Sequence, residues 1–224
     1  MRKRNIYIVI PAYNEGKIIY KVISDIKKNG FKDIVVVDDG STDDTEKVSL
    51  KAKVNVLRHF INRGKGAAVK TGLEFVKFEN ADIAVTMDGD GQHNAEDIKR
   101  MIRKIDEGYD IVLGSRFFNK KNKMPLFNRL ANYLANIIVF ITYNLWVSDS
   151  QSGFRAYNRL ALKKLNTKLD RYEFDSEIIK EIARHKLKYC EIPIDVFYTK
   201  YSTSKIHKQS FKNGIKTLIK IITS

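Results

Sequence analysis

One cysteine, three prolines and the lack of any apolar run long enough to cross a bilayer are the first features of this chain of 224 residues. The lone Cys190 excludes an internal disulfide and a cysteine metal cluster. It fits a reducing compartment and reads as a buried strand thiol. The scarcity of proline, beside 43% apolar residues, argues against a disordered chain. The most apolar stretch, Leu134 to Trp146, is broken by Asn136, Thr142 and Asn144. It falls short of the roughly 20 apolar residues that a spanning helix needs. Asn5 to Pro11, after the basic Met1 to Arg4, is too short for a signal peptide and reads as a first strand. Acidic residues are also in short supply: 26 Asp and Glu face 41 Lys and Arg, a net charge of +15. That excess calls for an anionic partner, whether nucleic acid, phospholipid head groups or a phosphorylated small molecule.

What is present is a rhythm of strands and helices. Apolar, largely β-branched runs occur at Ile6 to Ile10, Ile34 to Val37, Val54 to Leu57, Ile83 to Met87 and Ile111 to Leu113. Between them Glu15 to Lys28, Asp43 to Lys51, Gly66 to Phe78 and Ala95 to Glu107 carry helical spacing. This alternation predicts an α/β fold, a Rossmann-like, mostly parallel sheet flanked by helices. Past Arg116 come a basic loop, a long apolar helix from about Leu126 to Trp146, a polar turn from Asp149 to Arg155 and further short elements. The length suits one domain spanning 1–224.

In such sheets ligands bind beyond the carboxyl ends of the strands. Asp88-Gly89-Asp90-Gly91-Gln92 places two carboxylates in one glycine-flexible loop at a strand end. That spacing suits Mg²⁺ or Mn²⁺ bridging to a diphosphate, although a plain turn uses the same residues. Asp38 and Asp39 crowd the neighbouring strand end, which demands a donor or cation opposite. Ser41 or Thr42 there is expected to cap the next helix. Asn62-Arg63-Gly64-Lys65-Gly66 fits either a loop under a nucleotide or a simple helix start. The spacing of a nucleotide-binding P-loop and the dinucleotide fingerprint are both missing, which argues against an ATPase or a dehydrogenase.

Six motifs in order, Pro11-Ala12-Tyr13-Asn14-Glu15, Asp38 to Asp43, Asn62 to Gly66, Asp88 to Gln92, Gly114-Ser115-Arg116 and Asp149 to Arg155, carry a resemblance. The chain is similar to the inverting, family-2 nucleotide-sugar glycosyltransferases of A-type fold, a group that includes dolichol-phosphate mannose synthases and related polyprenyl-phosphate glycosyltransferases. The resemblance implies that Pro11, Tyr13, Glu15 and Asp39 hold the base and ribose. It places Asp88, Gly89, Asp90 and Gln92 around the donor diphosphate, with Asp88, Asp90 and Gln92 as metal ligands. Arg116 and, by position, Arg129 would meet an acceptor phosphate, and Lys205 would close over the donor. Residues 1–116 then form the nucleotide-sugar half and 117–210 the acceptor half.

A phosphate acceptor is already anionic, so Arg116 and Arg129 could orient it without a general base. For a hydroxyl acceptor Asp149 is the candidate base, with capping of a turn as its alternative role. In Phe211 to Ile222, Lys212, Lys216 and Lys220 line one side and Phe211, Ile215, Leu218, Ile219 and Ile222 the other. Residues 211–224 are therefore expected to form an amphipathic helix, either lying on an anionic membrane surface or packed on the domain. The expected enzyme is peripheral, on the cytoplasmic face, and transfers a hexose from GDP-mannose or a UDP-sugar, with mannose preferred, to a polyprenyl phosphate. Transfer to a sugar or protein hydroxyl, or nucleotidyl transfer, are the alternatives. A nucleic-acid partner is disfavoured, because acidic clusters on the ligand rim repel a polyanion. The expectation behind all of this is that Asp39, Asp88 and Asp90 gather around one cation.

Overall fold

The computed structural model describes residues 4–118, 126–170 and 173–197, with helix backbone alone for 126–131. Its first half alternates β1 (Ile6–Ala12), α1 (Ile19–Lys28), β2 (Asp33–Asp38), α2 (Thr45–Lys51), β3 (Asn55–Arg58), α3 (Lys65–Phe78), β4 (Ile83–Thr86), α4 (Asp97–Asp106) and β5 (Ile111–Ser115). The second half runs through α5 (Leu126–Tyr143), β6 (Arg155–Asn158), α6 (Arg159–Lys164), α7 (Glu173–His185) and β7 (Tyr189–Pro193). The seven strands form one sheet in the order β3-β2-β1-β4-β6-β5-β7. All neighbours pair in parallel except β6, which lies antiparallel between β4 and β5. The expected α/β sheet flanked by helices is what forms.

The continuous β-branched runs have their cause in this packing. Ile8, Ile10, Ile34, Val36, Ile83, Val85 and Val112 are buried in one core, with Ile19, Val22, Ile23 and Ile26 of α1 and Ile98, Met101 and Ile105 of α4. Val9, Val35, Val37, Ala84, Ile111 and Leu113 face the other core, against α3, α5 and α7. Both faces of the central strands β1, β2, β4 and β5 are dry, so along most of their length neither position in the alternation is polar.

Several boundaries shift from those expected, α1 most among the first-half helices, since it begins at Ile19 rather than Glu15; two shifts in the second half have a local reason. The long apolar helix stops at Tyr143, where Asn144 takes a left-handed φ of 51° and turns the chain. The expected polar turn ends one residue early, because Arg155 already belongs to β6. That strand has four residues, and Asn158 ends it by accepting a hydrogen bond from the Ala161 amide at the start of α6.

Gly72 sets how closely α3 rides on the sheet: a Cβ there would stand 2.3 Å from Val9 Cγ1 and 3.2 Å from Val37 Cγ2. Gly72→Ala is expected to destabilise the fold, since overpacking costs about 1–3 kcal/mol and the gain in helix propensity returns about 1 kcal/mol at most. An unchanged or higher urea midpoint would show that α3 can lift off β1 freely.

Candidate active site

The loops that leave β1 and β2 are knitted together before any ligand is considered. Asn14, with φ 54°, donates its amide to Ser41 Oγ at 2.9 Å and accepts the Thr42 amide on its side-chain oxygen at 2.9 Å. The Glu15 amide donates to Thr45 Oγ1, and the Gly16 amide to Asp43 Oδ2. Ser41 and Thr42 are thus spent on the neighbouring loop and cap no helix. Asp43 serves the start of α2 instead, accepting from the Thr45 amide at 3.0 Å. Tyr13 projects from this rim, 44% exposed, while Glu15 is buried.

Asp38 and Asp39 are both buried and do different work. Asp38 Oδ1 accepts the Ser41 amide at 2.9 Å; its Oδ2 has no hydrogen-bond partner and faces Arg58 Nε at 3.9 Å. Asp39 accepts from the amides of Arg63 (3.0 Å) and Gly64 (2.7 Å), and lies 2.7 Å from His59 Nδ1. Its carboxylate therefore clasps the loop that launches α3. The expectation that Asp39 shares one cation with Asp88 and Asp90 is corrected here, because its oxygens are committed to that loop. Among the described residues, no group of three or more His, Cys, Asp or Glu side chains is arranged to hold a metal ion.

What Asp39 positions is Lys65, the first residue of α3. Its ammonium lies 2.8 Å from Asp88 Oδ1 and 3.9 Å from Asp175 Oδ2. Burial opposes the charge on Lys65, yet Asp88 and Asp175 outweigh it and hold the ammonium above its ordinary pKa. Burial likewise pushes Asp88 up, but Lys65 and His93, whose Nε2 is 3.4 Å away, carry it well below the carboxylate range. Asp90 goes the other way: burial and then the nearby charge of Asp88 raise it. Its Oδ1 also accepts the Gln92 amide at 3.0 Å, so the plain turn expected as an alternative is present too. The Gln92 carbonyl receives the Phe197 amide at 2.8 Å, and His93 bridges Val196, which ties the end of the described chain to the carboxylate loop.

A second network stands beyond β5. Asp149 is fully buried and accepts four hydrogen bonds: Arg116 N (3.0 Å), Arg116 Nε (2.7 Å), Arg116 Nη2 (2.8 Å) and Asn132 Nδ2 (2.7 Å). Asn136, one turn along α5, holds the same loop by donating to the Ser148 carbonyl and accepting the Ser150 amide. Glu191 of β7 accepts from Ser148 N and Oγ. Burial raises Asp149, but Arg116 and Asn132 override it and keep the carboxylate below its ordinary range. Arg129 falls where only the α5 backbone is described, and Lys205 and the expected helix at 211–224 lie outside the described residues.

Sequence reasoning gave no role to Lys65, His93, Asp175 or Arg155, nor to the asparagines of α5. The pair Asn132 and Asn136, four apart in an apolar helix, was the available signal, since such residues need partners when they face inward. Asp175 carried only the mark of an acid in a first helical turn, which the helix dipole alone explains.

The model of Glycosyl transferase family 2 matches residues 7–166. An uncharacterized protein of Methanocaldococcus jannaschii is 41% identical, over 99% of this chain and 93% of its own length. A UDP-N-acetylglucosamine–dolichyl-phosphate N-acetylglucosaminyltransferase of Methanococcus voltae is 37% identical, over 92% of this chain and 90% of its own. Among solved structures, glucosyl-3-phosphoglycerate synthase of Mycobacterium tuberculosis, in complex with Mn²⁺, UDP and phosphoglyceric acid, superposes with a TM-score of 0.73. It is 20% identical and covers 97% of this chain and 78% of its own, a likeness of fold.

The Arg116 and Asp149 pair makes a pH prediction. A carboxylate whose folded pKa is depressed contributes stability in full above its unfolded value of about 3.9, and the contribution is lost as pH falls through the lower folded value. Asp149→Asn is expected to cost about 3 kcal/mol near pH 7, as for a buried pair broken on one side. The gap to the parent protein should narrow as unfolding is measured down to pH 3. A gap that stays constant would contradict the pairing.

Proposed function

This chain belongs to glycosyl transferase family 2, and on that premise we propose that it moves a hexose from a UDP-sugar to a polyprenyl phosphate with inversion. The observation that carries the acceptor class is the saturation of Asp149. A carboxylate that already accepts four hydrogen bonds, and is held below its ordinary pKa, is a poor general base. A hydroxyl acceptor needs such a base, whereas a phosphate oxygen does not. Asp149 instead fixes the orientation of the Arg116 guanidinium at the end of β5 through its Nε and Nη2 edge, so that its positive charge is held in one place for an acceptor anion. The same acceptor class appears in the name of the Methanococcus voltae relative and in the dolichyl-phosphate β-glucosyltransferases of Trichomonas vaginalis, which are 28–29% identical. Those names also favour N-acetylglucosamine, which the first carries on UDP, or glucose over the mannose preferred on sequence alone.

On the donor side, Tyr13, Pro11, Glu15 and Asp39 lie at the ends of β1 and β2, and the exposed Tyr13 ring offers a face for the base. Asp88 and Asp90 form a crowded, like-charged pair, which a divalent cation would relieve. Two carboxylates completed by phosphate oxygens are the usual seat of Mg²⁺, so the residues fit Mg²⁺ or Mn²⁺, with Gln92 beside them. Bound there, the ion supplies charge neutralisation for a departing nucleoside diphosphate. Attack by an acceptor phosphate oxygen on the anomeric carbon forms the new C–O bond as the bond to the nucleoside diphosphate breaks, in line, and so inverts the carbon. Among the described residues no helix is long and apolar enough to cross a membrane. Contact with an anionic membrane surface is assigned to the lysine-edged segment 211–222. Lys205 is assigned to donor closure, because the chain that leads to it leaves from beside Gln92.

The test is transfer from radiolabelled UDP-N-acetylglucosamine, UDP-glucose and GDP-mannose, with Mn²⁺ and a polyprenyl phosphate. Label from a UDP-sugar is expected in the organic phase. Label that stays aqueous, or reaches lipid from GDP-mannose alone, would sink the acceptor or the donor assignment respectively. Asp90→Asn should lower kcat/KM by on the order of 100-fold or more, as loss of a group that balances charge in the transition state does.

A further inference from the structure

We propose that Lys65 is an internal counter-cation that competes with the metal for Asp88, so that metal and nucleoside diphosphate enter the site as a coupled pair. The inference deepens the donor-site reading above and rests on it. Its root is rigid: Asp39 holds the amides of Arg63 and Gly64, the two residues before Lys65. Its tip is partly open to solvent, the Lys65 and Asp88 side chains being each 26% exposed.

Four charges alternate through this part of the protein, each from a different element. Asp88 follows β4, Lys65 opens α3, Asp175 lies in the first turn of α7, and Arg155 opens β6. Lys65 Nζ stands 2.8 Å from Asp88 and 3.9 Å from Asp175, and Arg155 Nη2 stands 3.4 Å from Asp175 Oδ1. The set is neutral as it stands. One ammonium is therefore shared between two carboxylates, and only Asp88 belongs to the expected metal site. The sharing also depends on Gly153, where a Cβ would lie 2.5 Å from Lys65 Nζ and 3.1 Å from Asp88 Oδ1.

A divalent cation arriving alone at Asp88 meets a positive charge already in contact with the ligand it needs. It must push the ammonium toward Asp175 and is repelled by it at short range, in partly desolvated surroundings where such repulsion is strong. A diphosphate changes the balance, because its oxygens accept both the metal and the displaced ammonium. Lys65 thus weakens metal binding without nucleotide and strengthens it with nucleotide. By linkage the same coupling must appear in nucleotide affinity with and without metal. Lys65 serves here as a positioning residue, and its role is read from binding rather than turnover.

The experiment is calorimetric titration of Mn²⁺ into the full chain, with and without saturating UDP, checked by the paramagnetic resonance signal of free Mn²⁺. The parent protein is expected to bind Mn²⁺ weakly alone and much more tightly with UDP. Lys65→Met is expected to bind Mn²⁺ alone at least tenfold more tightly than the parent, and to lose a similar factor from the tightening caused by UDP. Mn²⁺ affinity in Lys65→Met equal to or below the parent value would overturn the proposal. Circular dichroism reports whether that variant folds. If it does not, Gly153→Ala takes its place, since it keeps every charge and its Cβ at 2.5 Å must displace the Lys65 end, while Asp88 Oδ1 at 3.1 Å need give only a few tenths of an ångström; the same direction is expected, and an unchanged affinity overturns the proposal. Asp88→Asn separates the two levels: if it retains Mn²⁺ binding with UDP, the metal site of the proposed function is wrong, whatever Lys65 does.

Discussion

Ile8, Ile10, Ile34 and Val36 are buried in one helical layer and Val9, Val35 and Val37 in the other, so the middle of β1 and β2 has no wet face on which a polar side chain could sit. Everything chemical depends on that constraint. A carboxylate in the middle of β2 or β4 would be stranded among aliphatic side chains, at a cost of several kcal/mol per ion. The polar residues are therefore displaced to the ends of the strands, and in a parallel sheet the carboxyl ends of β1, β2 and β4 lie side by side. Asp38, Asp39, Asp88 and Asp90 all fall at that end of the sheet for the same reason that the strands before them are apolar, although β1 separates the two pairs.

The same constraint explains why the fold was legible in the sequence and where legibility stopped. Strands buried on both faces must be continuous in Ile and Val, and that pattern needs no partner to be recognised. β6 defeats the rule because it opens with Arg155, a residue that reads as loop. In the fold its guanidinium is buried, donating to the Ser150, Ser152 and Asp175 carbonyls. Those acceptors come from a loop and a helix that local pattern cannot bring to it. The aspartates were legible as a set, since Gly and Asp at a strand end announce a loop with work to do. Their partners were not: Lys65 stood inside a motif read for its glycines, and Asp175 looked like helix-end decoration. Ser41 and Thr42 show a subtler failure. Their capping chemistry was real, but Asn14, itself held in a left-handed conformation, took it up across the rim.

The two ion-pair networks differ in a way that assigns them different tasks. Asp149 has all its acceptor sites filled and no exposure, and its arginine is gripped through side chain and backbone together. Such a pair cannot adjust without leaving a buried charge uncompensated, which costs about 3–5 kcal/mol. It therefore holds one geometry, as an orienting group for an incoming anion should. The Asp88 and Lys65 pair is open to solvent by about a quarter of each side chain and has an alternative carboxylate within 3.9 Å. Its rearrangement leaves nothing stranded, because Asp175 receives what Asp88 gives up. In the function proposed above, the acceptor side is thus built in advance and the donor side is built to exchange partners. That division would match the charges of the proposed reaction: an acceptor phosphate that only needs to be aimed, and a diphosphate whose counter-ions must be supplied as it binds and released as it leaves.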